Sequence, residues 1–228
     1  MIDDAPPPYR TVVFDCDSTL CSIEGVEELA SGRLSPADRE RLESWTRAAM
    51  DGDLALEEVF GLRLELVAPT REELEHLGLR YVEALLPGAQ ELVDRLRGSG
   101  VRVLVISGGL LPAVRAVAEH LGIPGEDVFA VGIDFHPNGS FAGFERSSPL
   151  ARSGGKLELI RSLGGARSLG PLAWVGDGMT DLEAAPECAR FLAFGGVVQR
   201  SAVLEAAVVQ CLEPNLAALL PWLLGESA

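Results

Sequence analysis

Cysteine is scarce: the 228 residues contain four, Cys16, Cys21, Cys188 and Cys211, with no CxxC pairing. Four cysteines cannot staple a chain of this length, which excludes a disulfide scaffold and predicts buried thiols in a reducing compartment. Positive charge is also short. Lys and Arg total 19 against 34 Asp and Glu, a formal net charge of −15, and a field of that sign repels polyphosphate backbones, so a nucleic-acid partner is excluded. No stretch of about 18 uncharged apolar residues is present, as a membrane span requires. The opening Met-Ile-Asp-Asp-Ala-Pro-Pro-Pro has neither a basic n-region nor an apolar h-region, so no secretory leader is expected. The three histidines, His76, His120 and His136, lack ligand spacing. These deficits point to a soluble, cytoplasmic protein without a membrane partner.

What is abundant is core material: 47% of residues are hydrophobic and 23% charged, enough for one or two domains. Three short apolar runs have the form of strands covered on both faces. Tyr9-Arg-Thr-Val-Val-Phe14 stops at Asp15-Cys16-Asp17-Ser18-Thr19, Val101-Arg-Val-Leu-Val-Ile106 stops at Ser107-Gly108-Gly109, and Leu172-Ala-Trp-Val-Gly176 stops at Asp177-Gly178. Helical periodicity fills residues 90–97, 111–121, 157–163 and 216–224, and this alternation predicts an α/β fold with a doubly wound, mainly parallel, Rossmann-like sheet.

Residues 24–85 break the alternation. They carry only helical patterns, at 24–30, 36–50, 55–66 and 71–85, with Asp51-Gly52-Asp53 and Ala68-Pro69-Thr70 as breaks and helix starts. A crossover between parallel strands needs about a dozen residues. The segment is therefore expected to be an inserted helical cap domain at 23–85, set into a core of 1–22 and 86–228. Asn138-Gly139, between Phe135 and Phe141, predicts a small β-hairpin.

In an open parallel sheet the ligand site lies beyond the carboxyl ends of the strands. Asp15, Asp17, Ser107, Asp177 and Asp181 are all expected there. So many carboxylates cannot stay ionised together without a cation, and hard oxygen ligands suit Mg²⁺. Ser107-Gly108-Gly109 is read as opening a helix, whose N–H groups bind anions. Ser153-Gly154-Gly155-Lys156 repeats that arrangement and adds an ammonium. A metal, two anion-binding turns and a lysine converging on a carboxylate describe a phosphoryl-transfer site.

Asp15-Cys16-Asp17-Ser18-Thr19, Ser107-Gly108-Gly109, Ser153-Gly154-Gly155-Lys156 and Gly176-Asp177-Gly178-Met179-Thr180-Asp181, in this order and with a cap after the first, resemble the haloacid dehalogenase superfamily. Glu24, Met50 and Arg63 extend the resemblance to its phosphoserine phosphatase branch. The resemblance implies Asp15 as the nucleophile that forms an aspartyl-phosphate and Asp17 as the general acid and base. It implies Ser107, Gly108 and Lys156 as phosphate ligands. Mg²⁺ would be held by Asp15, the Asp17 backbone carbonyl and Asp177, with Asp181 as ligand or support. Glu24 and Arg63 would form a matching pair for the ammonium and carboxylate of L-phosphoserine, with Met50, Gly109 and Thr180 also contacting substrate. The chain departs from the branch pattern at Leu56, at Val131-Gly132 and at Gly195-Gly196-Val197-Val198. The residues leave open another small phosphomonoester, such as a sugar or methylthio-sugar phosphate, or transfer to an alcohol such as homoserine. They also leave open a monomer or a homodimer. A receiver-like signalling domain fits less well, since it has no use for Asp17 or a cap.

Overall fold

The computed structural model describes residues 8–225; the rest of the proline-rich lead, residues 1–7, lies outside them. Strands β1 (Thr11–Phe14), β2 (Arg102–Leu110), β3 (Val128–Val131), β6 (Leu172–Gly176), β7 (Arg190–Phe194) and β8 (Val209–Cys211) form one sheet in the order β3-β2-β1-β6-β7-β8. Every pairing in it is parallel. The three runs legible in the sequence are the central strands. Val12, Val13, Phe14 and Trp174 are fully buried there, which is why they read as unbroken apolar stretches. The chain winds outward from β1 first through β2 and β3, then on the other side through β6, β7 and β8. The strand order therefore reverses at β1, and the crevice beyond its carboxyl end is where a ligand fits.

One expectation is corrected. Ser107-Gly108-Gly109 does not open a helix: β2 continues through it to Leu110, with a register shift between Ile106 and Leu110, and the helix starts at Leu111. Glycine permits the continuation. A Cβ at Gly109 would lie 2.5 Å from Asp17 Oδ2, so only a bare backbone can pass so close.

Between β1 and the helix α5 (Ala89–Gly98) lie α1 (Gly25–Ala30), α2 (Pro36–Asp51), α3 (Leu56–Val67) and α4 (Arg71–Glu83). Their ends follow from local chemistry. Ser35 caps α2 by accepting from the Asp38 N–H, and Gly52 ends it in the left-handed region at φ 87°, as a residue without a Cβ does at low cost. Thr70 and Glu73 close a reciprocal capping box on α4. The entering and leaving segments run antiparallel at Cys21 and Leu85, with Leu86 N–H donating to the Leu20 carbonyl at 2.9 Å. The hairpin of β4 (Ile133–Phe135) and β5 (Phe141–Phe144) braces these helices. Phe144 meets Phe60 of α3 with ring centroids 5.2 Å apart, and the Arg71 N–H bonds the Gly139 carbonyl.

The remaining helices, α6 (Leu111–His120), α7 (Gly155–Ser162), α8 (Gly165–Leu169), α9 (Met179–Leu182), α10 (Ser201–Ala206) and α11 (Leu220–Leu224), complete the chain. None of the described helices is long and apolar enough to cross a membrane. All four cysteines are free; Cys16, Cys21 and Cys211 are buried and Cys188 is half-buried.

Candidate active site

Asp15 follows β1 directly, and its backbone N–H bonds the Val175 carbonyl of β6. This fixes the carboxylate over the switch point. Its Oδ1 accepts from the Cys16 N–H at 2.7 Å and its Oδ2 lies 2.8 Å from Lys156 Nζ. Lys156 enters from the first turn of α7 and also reaches Asp181 Oδ1 at 2.6 Å. Burial works to lower the affinity of that ammonium for its proton. Asp15 and Asp181 outweigh burial and hold the pKa above its ordinary value.

Asp177 follows β6 directly, accepting from Thr19 Oγ1 at 3.1 Å and from Arg200 Nε at 3.1 Å. Asp181, fully buried on α9, accepts from Trp174 Nε1 at 2.9 Å and from the Gly178 N–H at 3.1 Å. Carboxylate oxygens of Asp15, Asp177 and Asp181 all lie within 4.8 Å of one another. Burial, and then the Asp15 charge, push Asp177 up to about 6 against the opposing pull of Arg200. The same two causes push Asp181 up to about 7 against Lys156. A hard divalent cation fits this donor set, because it relieves the repulsion that raises these values.

The Asp17 side chain turns away from that cluster. Its Oδ1 accepts from the Gly25 N–H at 2.8 Å and from the Tyr81 hydroxyl, and its Oδ2 faces Ser107 Oγ at 3.4 Å. Burial and the Asp15 charge raise its pKa to about 6, while the Tyr81 and Gly25 hydrogen bonds oppose the rise. Tyr81 itself is pushed well above its ordinary value by burial and by Asp17, so it stays protonated and can donate.

One pocket is lined by Asp15, Asp17, Glu24, Met50, Arg63, Ser107, Gly108, Gly109, Lys156 and Thr180, together with Tyr81 and the apolar side chains of Leu56 and Phe60. Glu24 and Arg63, expected to hold the two charged groups of a substrate, both line this pocket and are bonded to other partners, not to each other. Arg63 is bound to Glu27, Nη2 to Oε2 at 3.2 Å, while Glu24 accepts from Ser18 Oγ at 2.7 Å and faces Arg200 at 3.7 Å. Glu24 and Glu27 stand one helical turn apart at the start of α1, and spacing alone cannot say which of them meets an arginine on α3. Arg63 Nε, on a residue only 6% exposed, has no hydrogen-bond partner among the described residues. Burial, then Asp17 and Glu27, hold the Glu24 carboxyl well above its ordinary range. Gly109 uses its N–H on Ser107 Oγ at 3.0 Å.

Three residues at the site escaped sequence reasoning. Tyr81 reads as ordinary core on an amphipathic helix. Glu27 carries no mark in the sequence that sets it apart from its neighbour Glu28. Arg200, 7% exposed, bonds Asp177, faces Glu24 and reaches Asp51 at 3.4 Å. Its signal lay in the loop after β7: had Arg190–Phe194 been read as a strand, residues 195–200 would have been placed at the same carboxyl edge.

A catalytic crevice of this kind, with acidic ends on β1 and β6 and a lysine between them, defines a class, and the chain belongs to the haloacid dehalogenase-like hydrolase family, whose model matches residues 12–186. Within that class it is 39% identical over 196 residues to a phosphoserine phosphatase of Bos taurus, with 86% of each chain covered. It is also 39% identical over 200 residues to the chloroplastic phosphoserine phosphatase of Arabidopsis thaliana, covering 87% of this chain and 67% of that one. The crystal structure of a phosphoserine phosphohydrolase-like protein from Francisella tularensis superposes with a TM-score of 0.84 at 29% identity, covering 93% of this chain and 99% of that chain.

Proposed function

We propose that the chain hydrolyses L-phosphoserine to L-serine and inorganic phosphate. The observation that carries this reading is the buried Arg63 with its Nε donor unmatched, in the same pocket as Glu24, Asp15 and Asp17. An unsatisfied buried donor costs about 1–3 kcal/mol. A carboxylate on the ligand removes that cost, and Glu24 in the same pocket, kept from ionising by burial and its acidic neighbours, gains from a ligand ammonium the opposite charge that favours its ionised form. A phosphomonoester of an amino acid offers both groups; a sugar phosphate offers neither. The similarity to named phosphoserine phosphatases supports the same substrate.

In this reading the Asp15 carboxylate attacks phosphorus and the bond from phosphorus to the serine oxygen breaks. Asp17 gives its proton to that oxygen. Water then attacks the aspartyl-phosphate and yields its proton to Asp17, releasing phosphate and restoring Asp15. Ser107, the Gly108 N–H and Lys156 hold the transferring oxygens. Mg²⁺, held by Asp15, the Asp17 carbonyl and Asp177, would neutralise the negative charge of the phosphoryl group. Both oxygens of Asp181 already accept hydrogen bonds, which suits it to orient Lys156 and the metal ligands from behind. Residues 23–85 act as the cap that excludes water. The seam supports this role: the Leu56 N–H bonds Ser153 Oγ and the Ser153 N–H bonds Glu57 Oε2, each at 2.9 Å.

The test is a hydrolysis screen of L-phosphoserine, phosphothreonine and sugar phosphates, with and without Mg²⁺, counting free phosphate and any phosphorylated alcohol. Highest kcat/KM for L-phosphoserine with free phosphate as product is expected. Preference for a sugar phosphate, or accumulation of a phosphorylated acceptor, contradicts the reading.

A further inference from the structure

We propose that Tyr81 is a positioning residue for proton transfer: with the Gly25 N–H it pins Oδ1 of Asp17, so that the transferred proton is carried on Oδ2. The proposal rests on Asp17 as the proton donor. Tyr81 lies near the end of α4, more than sixty positions from Asp17 in the chain, and its ring is fully buried. Its hydroxyl and the Gly25 N–H converge on the same oxygen. A backbone N–H can only donate, so Oδ1 must accept from it. With the phenol donating as well, both acceptor directions of Oδ1 are used, and a proton there would displace one of the two bonds. Oδ2 has a different neighbour. Ser107 Oγ, 3.4 Å away, can accept as readily as it donates, and Oδ2 is the oxygen beside Gly109.

The arrangement demands glycine at position 25. A Cβ there would overlap the Tyr81 hydroxyl, so the side chain missing from α1 is what admits the phenol from α4. Gly109 clears the other oxygen in the same way. The phenol and the amide come from different helices of the 23–85 segment, which makes the orientation of Asp17 depend on how those helices are seated.

The experiment compares kcat/KM for L-phosphoserine and for an aryl phosphate in native protein, Tyr81→Phe, Gly25→Ala and Asp17→Asn, all with Mg²⁺. This constant reports the steps up to release of the alcohol, and an aryl oxide leaves without needing a proton. Removing a general acid costs about 10²–10⁴-fold, so disorienting it should cost Tyr81→Phe about 10- to 100-fold on phosphoserine while the aryl ester changes by less than about 3-fold. Gly25→Ala should be selective in the same sense. A merely structural tyrosine would lower both substrates alike or neither, and either result in Tyr81→Phe overturns the proposal provided Asp17→Asn is selective for phosphoserine. If Asp17→Asn is itself unselective, the proton-donor reading fails, and the proposal with it.

Discussion

Arg63→Met isolates the group on which substrate identity turns. Methionine keeps the apolar reach of the stem and deletes the guanidinium. In the native protein that guanidinium is only half matched: Nη2 lies 3.2 Å and 3.3 Å from the two oxygens of Glu27, while Nε is buried without a partner. The substitution therefore has two consequences for stability of opposite sign, the loss of the Glu27 contact and the removal of an unmatched donor, and the net change should be small. Binding has no such compensation. A hydrogen bond to a charged group contributes about 1.5–3 kcal/mol, which at 1.4 kcal/mol per decade is about 10- to 150-fold. That factor should appear in kcat/KM for L-phosphoserine and be absent for an aryl phosphate, which has no carboxylate. Glu27→Gln keeps the shape of the anchor and should cause a smaller loss of the same selectivity. The assay is the ratio of the two kcat/KM values with melting temperature measured alongside. An unchanged ratio in folded Arg63→Met would refute the role given to the unmatched Nε and return the substrate to an unspecified phosphomonoester.

Asp15→Asn should abolish turnover in folded protein, because an amide cannot attack phosphorus; sustained multiple turnover with deamidation excluded by mass spectrometry would count against it. Chelation should remove activity and Mg²⁺ restore it, whereas Ca²⁺, with its larger oxygen shell, should bind and inhibit; full activity in Ca²⁺ alone would contradict this. Asp177 and Asp181, raised to about 6 and about 7, should make the chelated protein less stable as pH rises from about 4 to about 7. Over that range the native state holds protons the unfolded chain has lost, so the slope of stability against pH is negative. Calorimetry should accordingly show a larger Mg²⁺-induced rise in Tm at about pH 7.5 than at about pH 5, and the reverse order would sink the argument. Arg200→Met leaves Asp177 buried without its guanidinium, and breaking a buried ion pair costs about 3–5 kcal/mol; denaturant melts of chelated protein should show a loss of that size, and no loss would mean the pair is unimportant.

The parts of the fold legible in the sequence are those where one residue type serves one purpose. Val12 to Phe14 and Leu172 to Val175 are buried on both faces of the sheet, so their apolar runs had no other reading. Gly52 and Thr70 mark helix ends because a left-handed turn and an N-cap each select for few residues. By contrast β8 offers only Val209-Gln210-Cys211, and its alternation is too short to distinguish an edge strand from a loop. The site divides in the same way. Asp15, Asp177 and Lys156 stand at the ends of recognisable elements. Tyr81, Glu27 and Arg200 reach the site only through the packing of α4 on α1, of α1 on α3 and of the loop after β7 against α2. No local pattern distinguishes Tyr81 and Glu27 from residues of an ordinary core or surface, and Arg200 is legible only once β7 is read as a strand.

Covalent phosphorylation of Asp15 is the step on which the whole mechanism depends. Rapid acid quenching of the Mg²⁺-loaded protein mixed with phosphorus-labelled L-phosphoserine, followed by peptide mapping, reads this directly. The label should appear on the peptide carrying Asp15 within the first turnover, decay as free phosphate forms, and be missing from Asp15→Asn. Phosphate release at the native rate with no labelled protein at any quench time, or with the label on another residue, would contradict the mechanism.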